Sequence, residues 1–436
     1  WVLDGLSRQA IAGASIEIDE LDTVIKTDST GHYLINAISP GKYNIQIKAD
    51  GYKNQNQKIT IHENDSRKEI LLLSPYLYED DEVTVTANRF PQDVFQEATM
   101  LSVATKDDIA MRPIASTADV LKEEAGVFVQ KTTYGHGAPI IRGCVGNYIL
   151  LLYDGVRLNK STFRYGPNQY LNTVNSDRLH GIEVLHGPAS VMYGSDAFGG
   201  SINFLPQPLS GQSDNLTFKP HLKMTYSSAD NGQRYCSGFN AYNEDIALSL
   251  TGIYRHTSDL RAGGDAGKQS PTGWEANSLN LLFGYLIDNN SELRFNYLRE
   301  RQNDVPRYDK YLDGSYDIYD YDPQDRDFWM ISFRKSFLRG ILNSLKINLS
   351  YQNEDEGRIK QKSNSEGTTK ERDKVKTVGG YIQANSLVDP HRSLTYGIEY
   401  YYDYVNSKSI YYLGQERETK RSAFPDGSKY HSMCAF

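Results

Sequence analysis

From about residue 218 onward the chain keeps a period of two. Leu345, Ile347, Leu349 and Tyr351 alternate with Lys346, Asn348, Ser350 and Gln352. The same beat returns at Leu293, Phe295 and Tyr297, and at Leu394, Tyr396, Ile398, Tyr400 and Tyr402. Successive side chains of a strand point to opposite faces, so this beat dictates strands with one apolar face and one polar face. Connections alternate too. Short turns are predicted at Asp288-Asn289-Asn290, Arg339-Gly340 and Asp389-Pro390, and polar loops near 300–327, 355–375 and 404–430. Short turns at one end and long loops at the other predict an antiparallel membrane β-barrel, whose apolar band hydropathy averaging hides. No apolar run reaches the roughly 18 residues of a membrane-spanning helix. The 32 tyrosines, against 15 Phe and 3 Trp, suit membrane interfaces and wet binding surfaces.

Between Ile140 and Phe204 the texture is different. Apolar runs at Tyr148 to Tyr153 and Ile182 to Leu185 are punctuated by Gly143, Gly155, Gly187, Gly194, Gly199 and Gly200. That density predicts a small domain of tight turns. Its phrases are Ile141-Arg142-Gly143, Asp154-Gly155-Val156-Arg157, Ile182-Glu183-Val184-Leu185, Gly187-Pro188, Tyr193-Gly194-Ser195 and Gly199-Gly200. In order and spacing they resemble the end of the plug domain of TonB-dependent outer-membrane receptors. His186 departs from the pattern, because the family usually carries Arg or Lys there. Upstream, Ser116-Thr117-Ala118-Asp119 predicts a helix N-terminus, and Gly126 its stop.

Residues 1–75 alternate at Ser15 to Ile18 and Tyr43 to Ile47, with turns at Thr30-Gly31 and Pro40-Gly41. They predict a small β-sandwich. A-I-A-G-A-S-I, T-D-S-T-G-H-Y and G-K-Y-N-I-Q-I-K-A-D-G-Y are similar to the carboxypeptidase regulatory-like domain of Bacteroidetes-type receptors, a name that implies no peptidase activity. After the acidic run Glu79 to Glu82 comes Val83-Thr84-Val85-Thr86-Ala87, which looks like a TonB box. An exposed extended segment of this kind can add a strand to a partner's sheet edge.

The expected organisation is therefore mainly β: a β-sandwich (1–75), a linker with the TonB box (76–87), an α+β plug (88–207) and an antiparallel transmembrane barrel (208–436). About ten strands can be counted, whereas a plugged transporter barrel has about 22. The chain reads as a fragment, with the remaining strands beyond Phe436 and a signal peptide missing ahead of Trp1.

No catalytic set emerges. Gly194-Ser195-Asp196 lacks the second glycine of a nucleophile elbow, so an enzyme is not expected. Cys144, Cys236 and Cys434 are too scattered for a disulfide framework or a metal site. Asp320, Asp322, Asp325 and Asp327 lack the spacing of a Ca²⁺ loop. A formal charge of −8 gives no reason to expect nucleic acid.

The resemblance implies an importer in the outer membrane of a Gram-negative bacterium. Its implied partners are TonB, the membrane lipids and an imported ligand or its carrier protein. No intrinsic cofactor is implied; haem or a ferric chelate would be cargo. Arg142 and Glu183 are expected to meet partners on the plug or the wall, since charge inside a lumen must be paired or hydrated. In the family, plug arginines help lock the plug to the barrel, and His186 stands at one of those places.

Gly126 to Lys131, Gly137 to Gly143 and Asn303 to Lys310 are similar to the haem and haemoglobin branch. The loop 158–177, at the expected apex, contains no histidine. Tyr165 and Tyr170 are then candidate haem ligands, since tyrosinate binds ferric haem. His136 is a third, expected to be accessible between Gly135 and Gly137. Tyr308 and Tyr311 could stack on a planar ligand or belong to an interfacial girdle. A ferric siderophore, cobalamin or a glycan is the alternative cargo, and a non-transporting adhesin or signalling barrel the alternative function.

Overall fold

The computed structural model describes residues 1–4, 9–21, 23–36, 38–49, 52, 55–62, 69–73, 83–84, 92–93, 100–112, 115–207, 215–288, 290–336, 342–389 and 392–436. The chain is mainly β, in three tiers.

In the first tier, Ser15–Ile18 lies between Thr23–Lys26 and Gly41–Lys48, and Gln55–Ile61 completes the antiparallel sheet. Val2–Asp4 pairs in parallel with Leu71–Leu73. Val2, Ile16, Ile18, Ile45, Ile47, Leu71 and Leu73 form the core between them. The T-D-S-T-G-H-Y phrase is a turn held by Asp28, whose carboxylate accepts from the backbone amides of Thr30 (2.8 Å) and His32 (3.0 Å).

The second tier contains a mixed sheet in the order 156–157, 149–153, 200–206, 179–186, 101–105. Ile149–Tyr153 and Gly200–Pro206 run parallel and are buried along their whole length. A strand covered on both faces favours a continuous apolar run, which is why the alternation lapses in Ile149–Tyr153, whereas Gly200–Pro206 buries Ser201 and Asn203 between its apolar residues. The family phrases are largely its turns. Arg142 (φ 50°) and Gly143 (φ 78°) link Ala138–Ile141 to Cys144–Val145. Asp154 (φ 48°) and Gly155 (φ 79°) link Ile149–Tyr153 to Val156–Arg157. Two successive positive φ angles make the two-residue hairpin turn that matches strand twist, with glycine second. The expected helix start is present: Ser116 donates through both its amide and its hydroxyl to Asp119 (2.9 and 3.0 Å), and Thr117–Val120 follows.

The third tier is one large antiparallel sheet, the wall. Its ranks are Thr217–Ser227, Gly232–Tyr242, Ile246–Thr257, Trp274–Asp288, Ser291–Asn303, Tyr316–Ser336, Leu342–Lys362, Thr368–Asp389 and Arg392–Leu413. Glu416–Lys420 and Ser428–Ala435 share a tenth rank beside the last of these. Register aligns the faces: Trp329, Tyr351 and Val378 point outward side by side, while Phe328, Gln352, Thr377 and Asp403 face the plug. Outward Ile331, Leu349, Ile382 and Ile398 complete an exposed apolar band. Among the described residues no helix is long and apolar enough to cross a membrane.

The loops differ from expectation. Residues 355–362, 368–375 and 404–413 continue strands of 21 or 22 residues, and only Ser363 to Gly367 separates the first two stretches. A transmembrane strand needs about 9–11 residues, so these ranks run on well past the band. Cross-strand charge takes over there. Asp355 accepts from Arg372 (2.7 Å) and Lys374 (2.8 Å), and Lys360 meets Glu371 at 2.7 Å. Polar composition thus hid a ladder whose pairing is made between strands.

Candidate functional site

The plug meets the wall along a seam dominated by residues 157–178. A charge withdrawn from water needs an opposite charge and further hydrogen bonds. The seam supplies both. Arg326 of the wall is fully buried; its Nε donates to Thr173 Oγ1 (2.8 Å), its Nη1 to Gln352 Oε1 (2.7 Å), and its Nη2 meets Glu354. The other oxygen of Glu354 receives Lys160 from the plug. Lys160 also lies over the ring of Tyr170, at 4.7 Å. One wall carboxylate therefore holds two buried cations, one from each side of the seam.

A second knot lies beside it. Arg164 of the plug meets Glu356 at 3.2 Å and donates to the Tyr170 hydroxyl at 3.2 Å. Asp403 accepts from the Ser161 amide (2.6 Å) and Thr377 Oγ1 (2.7 Å). Asp177 is paired with Arg234 (3.0 Å) and lies 3.6 Å from Arg255, while Arg178 donates to Ser249 Oγ at 3.0 Å. Asp154 of the D-G turn meets Lys346 at 3.3 Å.

Arg157 organises the plug from within. Its guanidinium pairs with Asp196 (2.9 Å) and donates to the carbonyls of Tyr193 (2.6 Å) and Ser195 (3.0 Å). The D-G-V-R and Y-G-S-D phrases are thus two halves of one clasp. Its amide donates to the Tyr401 hydroxyl and its carbonyl accepts from Gln352 Nε2 at 2.8 Å, which ties the clasp to the wall. In the sequence Arg157 stands out only as the end of a phrase; an arginine just past a D-G turn was the available signal.

The predicted site residues are dispersed. His136 is not accessible: it is 2% exposed, with Nε2 2.6 Å from Gln302 Oε1 of the wall. Its flanking glycines serve close packing, since a Cβ on Gly135 would stand 2.8 Å from the Trp274 ring and one on Gly137 2.8 Å from Ala118. Burial pushes the His136 imidazole down to about 4, against the opposing effect of the hydrogen bond it donates to Gln302 Oε1. Tyr170 is also buried, its hydroxyl taken by Arg164, and burial raises it well above the ordinary tyrosine value. Both are therefore removed from the accessible candidates. Tyr165 is 77% exposed, beside Tyr148 with ring centroids 6.5 Å apart. Tyr308 and Tyr311 sit on the short helix Tyr308–Leu312; the first donates to Gln269 and the second to Asp320 (2.7 Å). That helix touches the plug through the Asp309 amide and the Thr132 carbonyl, 3.3 Å apart.

Glu183 is fully buried within the plug and accepts from Asn203 Nδ2 at 3.2 Å. Arg142 does not meet the partner expected of it: it is exposed and makes no hydrogen bond or ion pair with a described residue. His186 is buried beside Ser102 Oγ (3.2 Å), and burial, then the nearby Arg142, lowers its imidazole. It is a neutral ring inside the plug. Gly187 and Pro188 turn the chain from His186 towards the short helix Ser190–Tyr193, closed by Gly194. Of the TonB-box candidates, Val83–Thr84 pairs with Gln92–Asp93, while Val85, Thr86 and Ala87 lie outside the described residues. Among the described residues no group of His, Cys, Asp or Glu could hold a metal ion.

Residues 93–201 match the TonB-dependent Receptor Plug Domain, and residues 1–85 the CarboxypepD_reg-like domain. Residues 93–201 are a TonB-dependent receptor plug. The chain is similar to the Vitamin B12 transporter BtuB of Photobacterium profundum, with 32% identity over 135 residues. That match covers 31% of this chain and 22% of the relative. BtuB of Vibrio vulnificus (strain YJ016) is 27% identical over 220 residues, half of this chain and 34% of the relative. The matches thus span about a third or less of these relatives. Among solved structures, the copper transporter OprC superposes with a TM-score of 0.64 at 17% identity, over 77% of this chain and 51% of that one. The Serratia marcescens hemophore receptor HasR, solved with HasA and heme, gives 0.57 at 17% identity, over 73% and 49%. At such identity the likeness shows the fold alone: a small mixed-sheet domain seated against a large antiparallel wall.

Proposed function

We propose that the protein is a TonB-dependent importer of the outer membrane, and that it moves its cargo without chemical change. The observation that carries this reading is the seam. A plug fastened to the wall by buried ion pairs at Glu354, Glu356 and Asp177 takes work to loosen, which fits a plug that must be moved for cargo to pass. Val83 to Ala87 would receive that work by adding a strand to TonB, whose pull is powered from the inner membrane. In this reading the accessory domain, 1–75, would precede the handle, and the linker 76–87 would carry it.

The cargo we favour is a bulky metal chelate. The plug relatives named for vitamin B12 support a corrin, and a ferric siderophore is its nearest chemical alternative. Haem, or haem delivered by haemoglobin, loses support with the burial of His136 and Tyr170, although Tyr165, Tyr308 and Tyr311 are still available as contacts. The deciding experiment deletes residues 83–87 in the full-length protein and measures surface binding and uptake separately, using labelled cobalamin, ferric siderophores and haemin. Binding should persist while uptake of one of them stops. Uptake indifferent to the deletion would sink the transport reading in favour of an adhesin or signalling barrel.

A further inference from the structure

On the outward face of the wall, the strand Thr368–Asp389 presents Lys370, Arg372, Lys374 and Lys376 in succession, all exposed. Successive outward residues stand about 7 Å apart. Below Lys376 the same face becomes apolar: Val378 and Ile382 are exposed beside Tyr351 and Leu349 of the neighbouring strand. Across the other edge, Lys408 lies directly opposite Arg372. Like charges facing each other in a ladder repel.

Little compensates them. Asp355 takes both Arg372 and Lys374. Lys376 is flanked by Asn353 and Tyr404, neither of which is acidic. Neither Lys376 nor Lys408 has a hydrogen-bond or ion-pair partner among the described residues. Five cations therefore share one directly paired carboxylate, Asp355, with Asp322 and Asp325 acting on Lys370 and Arg372 from farther off, directly above a surface suited to acyl chains. Elsewhere on this level, Arg299 and Arg301 lie 3.7 Å from Asp327 and Asp325 respectively.

We propose that this column binds the phosphorylated headgroup of a lipid in the leaflet around the barrel. The partner is an amphiphile: its phosphates reach Lys376, Lys408 and Arg372, while its chains lie against Val378, Ile382 and Leu349. Each nearby Lys or Arg adds to the hold on an anionic headgroup, so several adjacent cations can hold one lipid selectively. The inference rests on the outer-membrane reading above.

The test uses the full-length protein purified from membranes, with diphosphorylated lipid A in detergent micelles as the probe. K376Q/K408Q should weaken its binding on the order of tenfold, since two surface charges are lost. K376R/K408R should restore it. Phosphatase-treated lipid should bind wild type and K376Q/K408Q alike, and weakly. Both side chains are exposed and break no pair when changed, and heat-modifiable mobility on gels checks that the barrel is folded. Equal binding of the phosphorylated lipid by wild type and a folded K376Q/K408Q would overturn the proposal. So would equal binding of both lipids by wild type. A protein that fractionates away from the outer membrane would instead overturn the reading beneath it.

Discussion

Glu354→Gln is the sharpest probe of the seam. The glutamine keeps the shape but removes the one anion between Lys160 and Arg326, whose side chains are 3% and 0% exposed. Removing one member of a buried ionic set costs about 3–5 kcal/mol, because the remaining charges lose their partner without regaining water. Lys160→Met should cost less, about 1.5–3 kcal/mol, since Arg326 still balances Glu354. Replacing all three by Met, Met and Leu should recover most of the loss, because no charge is then stranded. Amide exchange in detergent-solubilised full-length protein reads this out segment by segment. With Glu354→Gln, residues 157–178 should open on the order of a hundredfold or more faster, at about 1.4 kcal/mol per decade. Wall strands such as Thr368–Asp389 should keep their protection. Unchanged exchange at 157–178, or a triple replacement as leaky as Glu354→Gln, would refute the reasoning.

Three further outcomes follow from the same geometry. His136 titrates near 4 when folded and near 6.5 when unfolded, so the unfolded chain binds more protons between those values. Its contribution is intact above pH 6.5 and is lost as pH falls towards 4, by about 3 kcal/mol in all; His136→Gln should flatten that slope in thermal or denaturant melts. Gly135→Ala pushes a methyl to 2.8 Å from the Trp274 ring and should loosen 131–137 by about 1–3 kcal/mol, seen as faster local exchange and altered Trp fluorescence. Arg157→Met leaves Asp196 with only the Asn159 amide and frees the carbonyls of Tyr193 and Ser195, so limited proteolysis should begin cutting at 193–198 while cleavage elsewhere stays the same.

What was legible in the sequence was local. Alternation at 345–351 and 394–402 announced wall strands because strand periodicity needs only near neighbours. Arg142-Gly143 and Asp154-Gly155 announced hairpin turns for the same reason. What was hidden depends on partners distant in the chain. The strands through 355–375 are stabilised by charges meeting across ranks, as at Asp355 and Arg372, and polar composition alone reads as loop. The glycines around His136 resembled an access gap until Trp274 and Ala118 filled it. Glu354 and Arg326 are not distinguished by the sequence, since nothing in E-D-E or D-R-D tells which charges end buried.

The ranks of 21 and 22 residues also set a stand-off distance. At about 3.3 Å per residue and a tilt near 40°, such a strand rises roughly 55 Å, about twice the height of a 25 Å apolar band. In the proposed orientation, the surplus of these four ranks forms a stiff palisade above the bilayer, joined at its crest by short links at 363–367 and 414–415 and by the longer connection 304–315 with its helix Tyr308–Leu312. Anything approaching over these four ranks would meet that crest well before it met the seam.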